Sequence, residues 1–67
     1  MTPFVIVEEI LEGEAVPTTI NVNTVRMIVP NNDSKLCTIY FVGGEELEVE
    51  GNLEHVTDTL NYAFGED

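Results

Sequence analysis

Residues 35–50, Lys-Leu-Cys-Thr-Ile-Tyr-Phe-Val-Gly-Gly-Glu-Glu-Leu-Glu-Val-Glu, read as two β-strands joined at Gly43-Gly44. Leu36 to Val42 is rich in β-branched and aromatic residues, and the paired glycines supply the positive φ angles that a two-residue type I′ turn requires. Pairing outward from such a turn sets Val42 against Glu45, Tyr40 against Leu47, Ile39 against Glu48 and Cys37 against Glu50. Side chains alternate across a strand, so Leu36, Thr38, Tyr40, Val42, Leu47 and Val49 are expected to share the face that lies under a helix. The opposite face carries Cys37, Ile39 and Phe41 beside Glu46, Glu48 and Glu50, an apolar stripe rimmed by carboxylates. These assignments require a turn of two or four residues, because a one-residue change of register exchanges the faces.

Working outward, residues 3–11 form an opening strand that is apolar on both sides, with Phe4 and Ile6 on one and Val5 and Val7 on the other. Residues 12–18 hold Gly13 and Pro17 and read as an acidic loop. Residues 19–29 alternate Ile20 and Val22, then Val25, Met27 and Val29, with a shift of phase that predicts a kink or bulge at Asn23-Thr24. Pro30-Asn31-Asn32-Asp33-Ser34 is a turn. After Gly51, Asn52 is a good N-cap, and Leu53, Val56, Leu60, Ala63 and Phe64 recur at helical spacing up to a stop at Gly65. The fold expected is α+β: a small antiparallel sheet of about four strands with one C-terminal amphipathic helix packed on one face, a single domain over 1–67.

Sixty-seven residues lie near the lower limit at which one core offsets chain entropy, and domains of this size commonly add a disulfide, a metal or a second subunit. Cys37 is the only cysteine, so no intrachain disulfide forms, and its apolar strand predicts a packed thiol in a reducing compartment. Thirteen acidic residues oppose Arg26 and Lys35, for a formal net charge of −11. Two basic residues cannot neutralise a row of phosphates against that field, which excludes nucleic acid and disfavours an anionic membrane. No basic segment followed by an apolar run is present, so a soluble, cytoplasmic protein is expected and the Asn32-Asp33-Ser34 sequon serves no purpose.

Catalysis needs a base or nucleophile held by partners, and His55, Cys37, Tyr40 and Tyr62 are not expected to converge. His55 falls on the polar side of the first helical turn, opposite the Leu53–Leu60 stripe. Glu54 with Asp58, or the row Glu46, Glu48 and Glu50, offers carboxylates without a ligand-supplying loop. No metal-binding or phosphate-loop motif occurs, so no enzyme activity, metal or cofactor is expected.

From Ile20 onward, the segments Ile20-Asn21-Val22-Asn23, Val25 to Val29, Thr38 to Val42, Gly43-Gly44, Leu47 to Glu50 and Leu53 to Leu60 resemble the small FlbD family of flagellar-operon proteins. The resemblance covers about two thirds of the chain at the level of elements, and implies a small β-β-β-β-α accessory protein with no catalytic signature. This chain departs from it in charge, lacking the basic residues common in such proteins. The expected function is therefore a non-enzymatic, acidic protein-binding or regulatory module of bacterial or phage origin. The alternative is an acidic nucleic-acid mimic that inhibits a basic nucleic-acid-processing enzyme, with Glu46, Glu48 and Glu50 as the partner-binding row.

Self-association is expected as well. A single helix covers one side of a sheet, so Cys37, Ile39 and Phe41 are assigned to an oligomer interface, most simply a twofold dimer. On that assignment Phe41→Glu yields a folded or weakly folded monomer and Tyr40→Glu unfolds the chain.

Overall fold

The computed structural model describes residues 3–32 and 35–65. Asp33 and Ser34 of the predicted turn, the side chains of Ala63 and Phe64, and the tail Glu66-Asp67 lie outside the described residues. The strands are β1 (Phe4–Leu11), β2 (Glu14–Asn21), β3 (Val25–Pro30), β4 (Leu36–Phe41) and β5 (Glu46–Glu50), followed by α1 (Leu53–Gly65). All pairs are antiparallel, in the order β2-β1-β5-β4-β3. The fold is thus α+β, with five strands rather than about four.

The extra strand comes from the segment read as an acidic loop. Leu11 pairs with Glu14, leaving Glu12 and Gly13 as a two-residue turn with φ of 52° and 84°, the positive values that a type I′ turn requires. Pro17 does not break β2, because it sits where its missing N–H costs nothing. A two-residue turn is closed by a hydrogen-bonded pair, so the bonded pairs are every second one from Leu11–Glu14, and Pro17 opposite Glu8 falls between them. Val22 N donating to Pro3 O at 2.8 Å continues the same phase. Pro17 therefore turns its nitrogen to the free edge of the sheet. Pro30 does the same on β3: Asn31 N donates to Leu36 O at 2.9 Å, which places the Pro30–Cys37 pair between bonded pairs.

Glu12 holds a conformation that costs an L-residue about 1 kcal/mol or more. Glu12→Asn is expected to stabilise the chain by about 0.5–1 kcal/mol, since asparagine tolerates positive φ, while Glu12→Gln removes the same charge without that gain. Urea midpoints of the two variants check this; equal midpoints would show that charge, not backbone, sets the turn's cost.

The central hairpin forms with a different turn. Gly44 has φ of 96°, whereas Gly43 is not in the positive region. Gly44 N donates to Phe41 O at 3.0 Å and Phe41 N to Glu45 O at 2.9 Å, so the loop is Val42-Gly43-Gly44, three residues long with Gly44 as a bulge. The odd loop length moves the pairing by one: Tyr40 faces Glu46, Ile39 faces Leu47, Thr38 faces Glu48 and Cys37 faces Val49. The two faces of β4 are exchanged as a consequence. Cys37, Ile39 and Phe41 join Leu47 and Val49 on the side under the helix, and Leu36, Thr38 and Tyr40 stand on the outer side with Glu46, Glu48 and Glu50. The assignment of Cys37, Ile39 and Phe41 to an oligomer interface is corrected accordingly: Cys37 and Ile39 have no exposed surface, because they fill the core of their own chain.

Residues Val22–Thr24 form a short 3-10 turn between β2 and β3, capped by Asn21, whose side chain accepts from Asn23 N at 2.9 Å. The kink expected at Asn23-Thr24 is this turn, and a separate register shift between Val25 and Met27 leaves Arg26 as a bulge. The turn also shapes the sheet. In a flat sheet the edge strands β2 and β3 would stand roughly 19 Å apart, but the four Cα steps from Asn21 to Val25 reach at most about 15 Å. The sheet must curl, bringing Ile20 of β2 and Val25 and Ile28 of β3 around one core.

α1 packs inside the curl against β1, β3 and β4. Asn52 caps it, its side chain accepting from His55 N at 2.8 Å and its carbonyl from Val56 N at 3.0 Å. Among the described side chains of α1, Val56 and Leu60 are buried, in one core cluster with Val7, Ile20, Val22, Ile39 and Val49. Burying side chains of this kind contributes about 1.5–3 kcal/mol each before ordering costs.

Candidate functional site

The side of the sheet away from α1 is where exposed apolar groups and charge meet. Residues that face one another across paired strands share a side, so Met27 and Val29 of β3 lie beside Tyr40 and Thr38 of β4, which lie beside Glu46 and Glu48 of β5. Leu36 beside Glu50 completes the patch. Met27 is 42 % and Val29 37 % exposed, Leu36, Thr38 and Tyr40 are half-buried, and the three glutamates are exposed. The predicted apolar stripe rimmed by carboxylates is present with different apolar members: Leu36 and Tyr40 flank the acidic row, where Cys37, Ile39 and Phe41 were expected.

Glu48 is held in place. The Thr38 hydroxyl donates to Asn31 Oδ1 at 2.9 Å, and Asn31 Nδ2 donates to Glu48 Oε2 at 2.6 Å. This chain of bonds crosses β4 on the outer side and orients the carboxylate before any partner arrives. Asn31 was read only as a turn former, and no sequence signal assigns it to Glu48, because the contact spans seventeen positions and depends on the observed register.

Arg26 lies off this patch and Lys35 adjoins its end. Arg26 is the bulged residue beside Thr57 and Asn61 of α1. Lys35 precedes β4, its carbonyl accepting from Gly51 N at 2.8 Å. Glu46, Glu48 and Glu50 therefore face solvent within a chain of net charge −11. Screening is expected to relieve the repulsion: raising NaCl from about 10 to 500 mM should add on the order of 1 kcal/mol, or about 4–8 °C in melting temperature for a domain of this size. Circular dichroism melts check this, and a flat response would mean that the carboxylates are too dispersed to repel.

Groups with intrinsic reactivity do not converge. His55 and Tyr62 are exposed on α1, Tyr40 is on the outer face, and Cys37 is in the core. Among the described residues no three His, Cys, Asp or Glu side chains gather as a metal-ligand group. The Cys37 thiol donates to Gly51 O at 3.4 Å, and burial pushes its pKa up.

The thiolate is disfavoured only in the folded state, so this contribution to stability is complete below the unfolded thiol's pKa, about 8.5, and is lost progressively as pH rises through the folded value. Denaturant titrations between pH 7 and 10 are expected to show a fall that Cys37→Val lacks. An identical fall in the valine variant would assign it to other groups.

Among the described residues no helix is long and apolar enough to cross a membrane. No family model, curated protein or solved structure matches the chain.

Proposed function

We propose that the chain is a non-enzymatic protein-binding module whose partner docks on the outer face of β3, β4 and β5. The observation that carries this reading is the juxtaposition of exposed Met27 and Val29 with Leu36, Tyr40 and a solvent-facing row of glutamates, on a side that α1 leaves uncovered. Exposed apolar side chains grouped on one surface and bordered by polar groups are the usual composition of a protein contact.

A photo-crosslinking residue placed at Val29 tests the reading against one placed at the exposed Asn61 on α1. In lysate of the source cells, the first is expected to give a discrete heterologous adduct that the triple exchange of Glu46, Glu48 and Glu50 to Gln removes. Adducts of equal yield from both positions, or none from Val29, would defeat it.

The glutamate row supports a second reading, a nucleic-acid mimic that occupies a basic groove. Its charges repeat every ~6.8 Å along β5, a spacing suited to a line of Arg or Lys. The two readings part on the apolar members. Met27→Ser with Val29→Ser should abolish capture by a protein-binding face and leave capture by a charge mimic intact.

A further inference from the structure

We infer that the partner presents a cationic amphipathic helix, which lies along β5 with its basic flank on Glu46, Glu48 and Glu50 and its apolar flank on Leu36, Tyr40, Met27 and Val29. The inference rests on the protein-binding reading and assigns the chemistry of what is bound.

The mode of docking follows from what the fold leaves open. Strand addition needs free main-chain donors along an edge, and each edge strand turns a proline nitrogen outward in mid-course or at its end, Pro17 on β2 and Pro30 on β3. The inner side is occupied by α1. A proline in each row interrupts it, which favours docking on side chains of the outer face over extension of the sheet.

Charge decides between a second copy and a different protein. A twofold contact through this face would bring two glutamate rows together between chains of net charge −11 each, with Arg26 set against α1. A cationic partner meets the same row favourably. Glu48, already bonded to Asn31 through Oε2, offers its other oxygen at little further ordering cost.

Spacing admits a helix. Basic residues four apart rise ~6.0 Å along a helix axis, close to the ~6.8 Å between alternate residues of β5, so three successive positions i, i+4 and i+8 can meet three glutamates. Apolar residues on the adjoining flank then fall over β4 and β3.

Three synthetic helical peptides test this on the full-length, ¹⁵N-labelled chain: one with Lys at i, i+4 and i+8 beside a Leu flank, one with Glu replacing each Lys, and one with Ser replacing each Leu. The Lys/Leu peptide is expected to shift amide resonances of β3, β4 and β5, Met27, Val29, Tyr40 and Glu48 among them, and to bind about tenfold or more tighter than either control. Exchanging Glu46, Glu48 and Glu50 to Gln should bring its affinity down to that of the Glu/Leu peptide, with the melting curve confirming the fold. If the Glu/Leu peptide binds this face as tightly, the face is a binding site and its cationic partner is wrong. Diffuse shifts with equal affinity for the Lys/Ser peptide would reduce the interaction to general charge attraction and overturn the inference. Silence of β3–β5 with all three peptides would overturn both the inference and the protein-binding reading. A dimer at high salt that protects the β3–β5 amides would name a second copy as the occupant and overturn the cationic helix.

Discussion

Phe41→Glu is expected to unfold the chain, and Tyr40→Glu to leave it folded. The two residues are neighbours on β4, so hairpin propensity and net charge change alike in both variants. They differ in direction. Phe41 is 9 % exposed among Val25, Ile39 and Leu47 on the helix side, whereas Tyr40 stands on the outer face between Met27 and Glu46. Removing a buried phenylalanine costs about 3–5 kcal/mol, and an unpaired carboxylate in its place adds several more. A domain of this length has roughly 3–10 kcal/mol in total, so Phe41→Glu exhausts it. Tyr40→Glu loses a half-buried ring and adds a like charge beside Glu46, for about 1–2 kcal/mol. Far-ultraviolet circular dichroism with urea titration separates the outcomes. An unfolded Tyr40→Glu with a folded Phe41→Glu would restore the two-residue turn and the opposite faces.

Gly51→Ala is expected to lose about 1–3 kcal/mol, the usual cost of forcing an L-residue into a sparsely allowed backbone region. Gly51 has φ of 121°, and a Cβ there would stand 2.9 Å from His55 Cδ2 and 3.2 Å from Val56 Cγ2. The residue has little freedom to escape. Its N–H donates to Lys35 O at 2.8 Å and its carbonyl accepts the Cys37 thiol, so both of its backbone groups tie the end of β5 to β4. The exposed His55 ring can swing aside, but Val56 is packed in the core and the φ penalty stays. His55→Ala in the Gly51→Ala background should therefore recover only a small part of the loss. Full recovery by that second change would show that the ring alone makes the site intolerant.

Much of the architecture was legible because it is written in short-range patterns. The period of two in Leu36 to Phe41 and in Glu46 to Glu50 marked strands, and Asn52 with Val56 and Leu60 marked the capped helix. The alternation of β1, Val5 and Val7 on one side and Phe4 and Ile6 on the other, was legible for the same reason, but not that the first pair faces inward and the second is exposed. The strand β2 was missed because Gly13 and Pro17 each signal a break when read locally. Whether a proline interrupts a strand depends on which way its nitrogen points in the finished ladder, and that is a property of the pair rather than of the residue.

What the amino-acid sequence determined by itself is the elements other than β2 and the chemistry available to them: strands of alternating pattern, a capped amphipathic helix, one thiol, and thirteen acids against two bases. The tertiary structure alone decided which alternation of β4 faces inward. Both sides of that strand are apolar enough to be buried, Cys37, Ile39 and Phe41 on one and Leu36 and Tyr40 on the other, so hydrophobicity does not choose between them. A single residue in the turn does, because a loop of three with Gly44 at positive φ shifts the register by one where a loop of two does not. The glutamates of β5 keep their outward position in either case, since Leu47 and Val49 are the only apolar alternation that β5 has. Which apolar residues stand beside those glutamates, and that Asn31 orients Glu48 among them, followed only when the paired strands closed around α1.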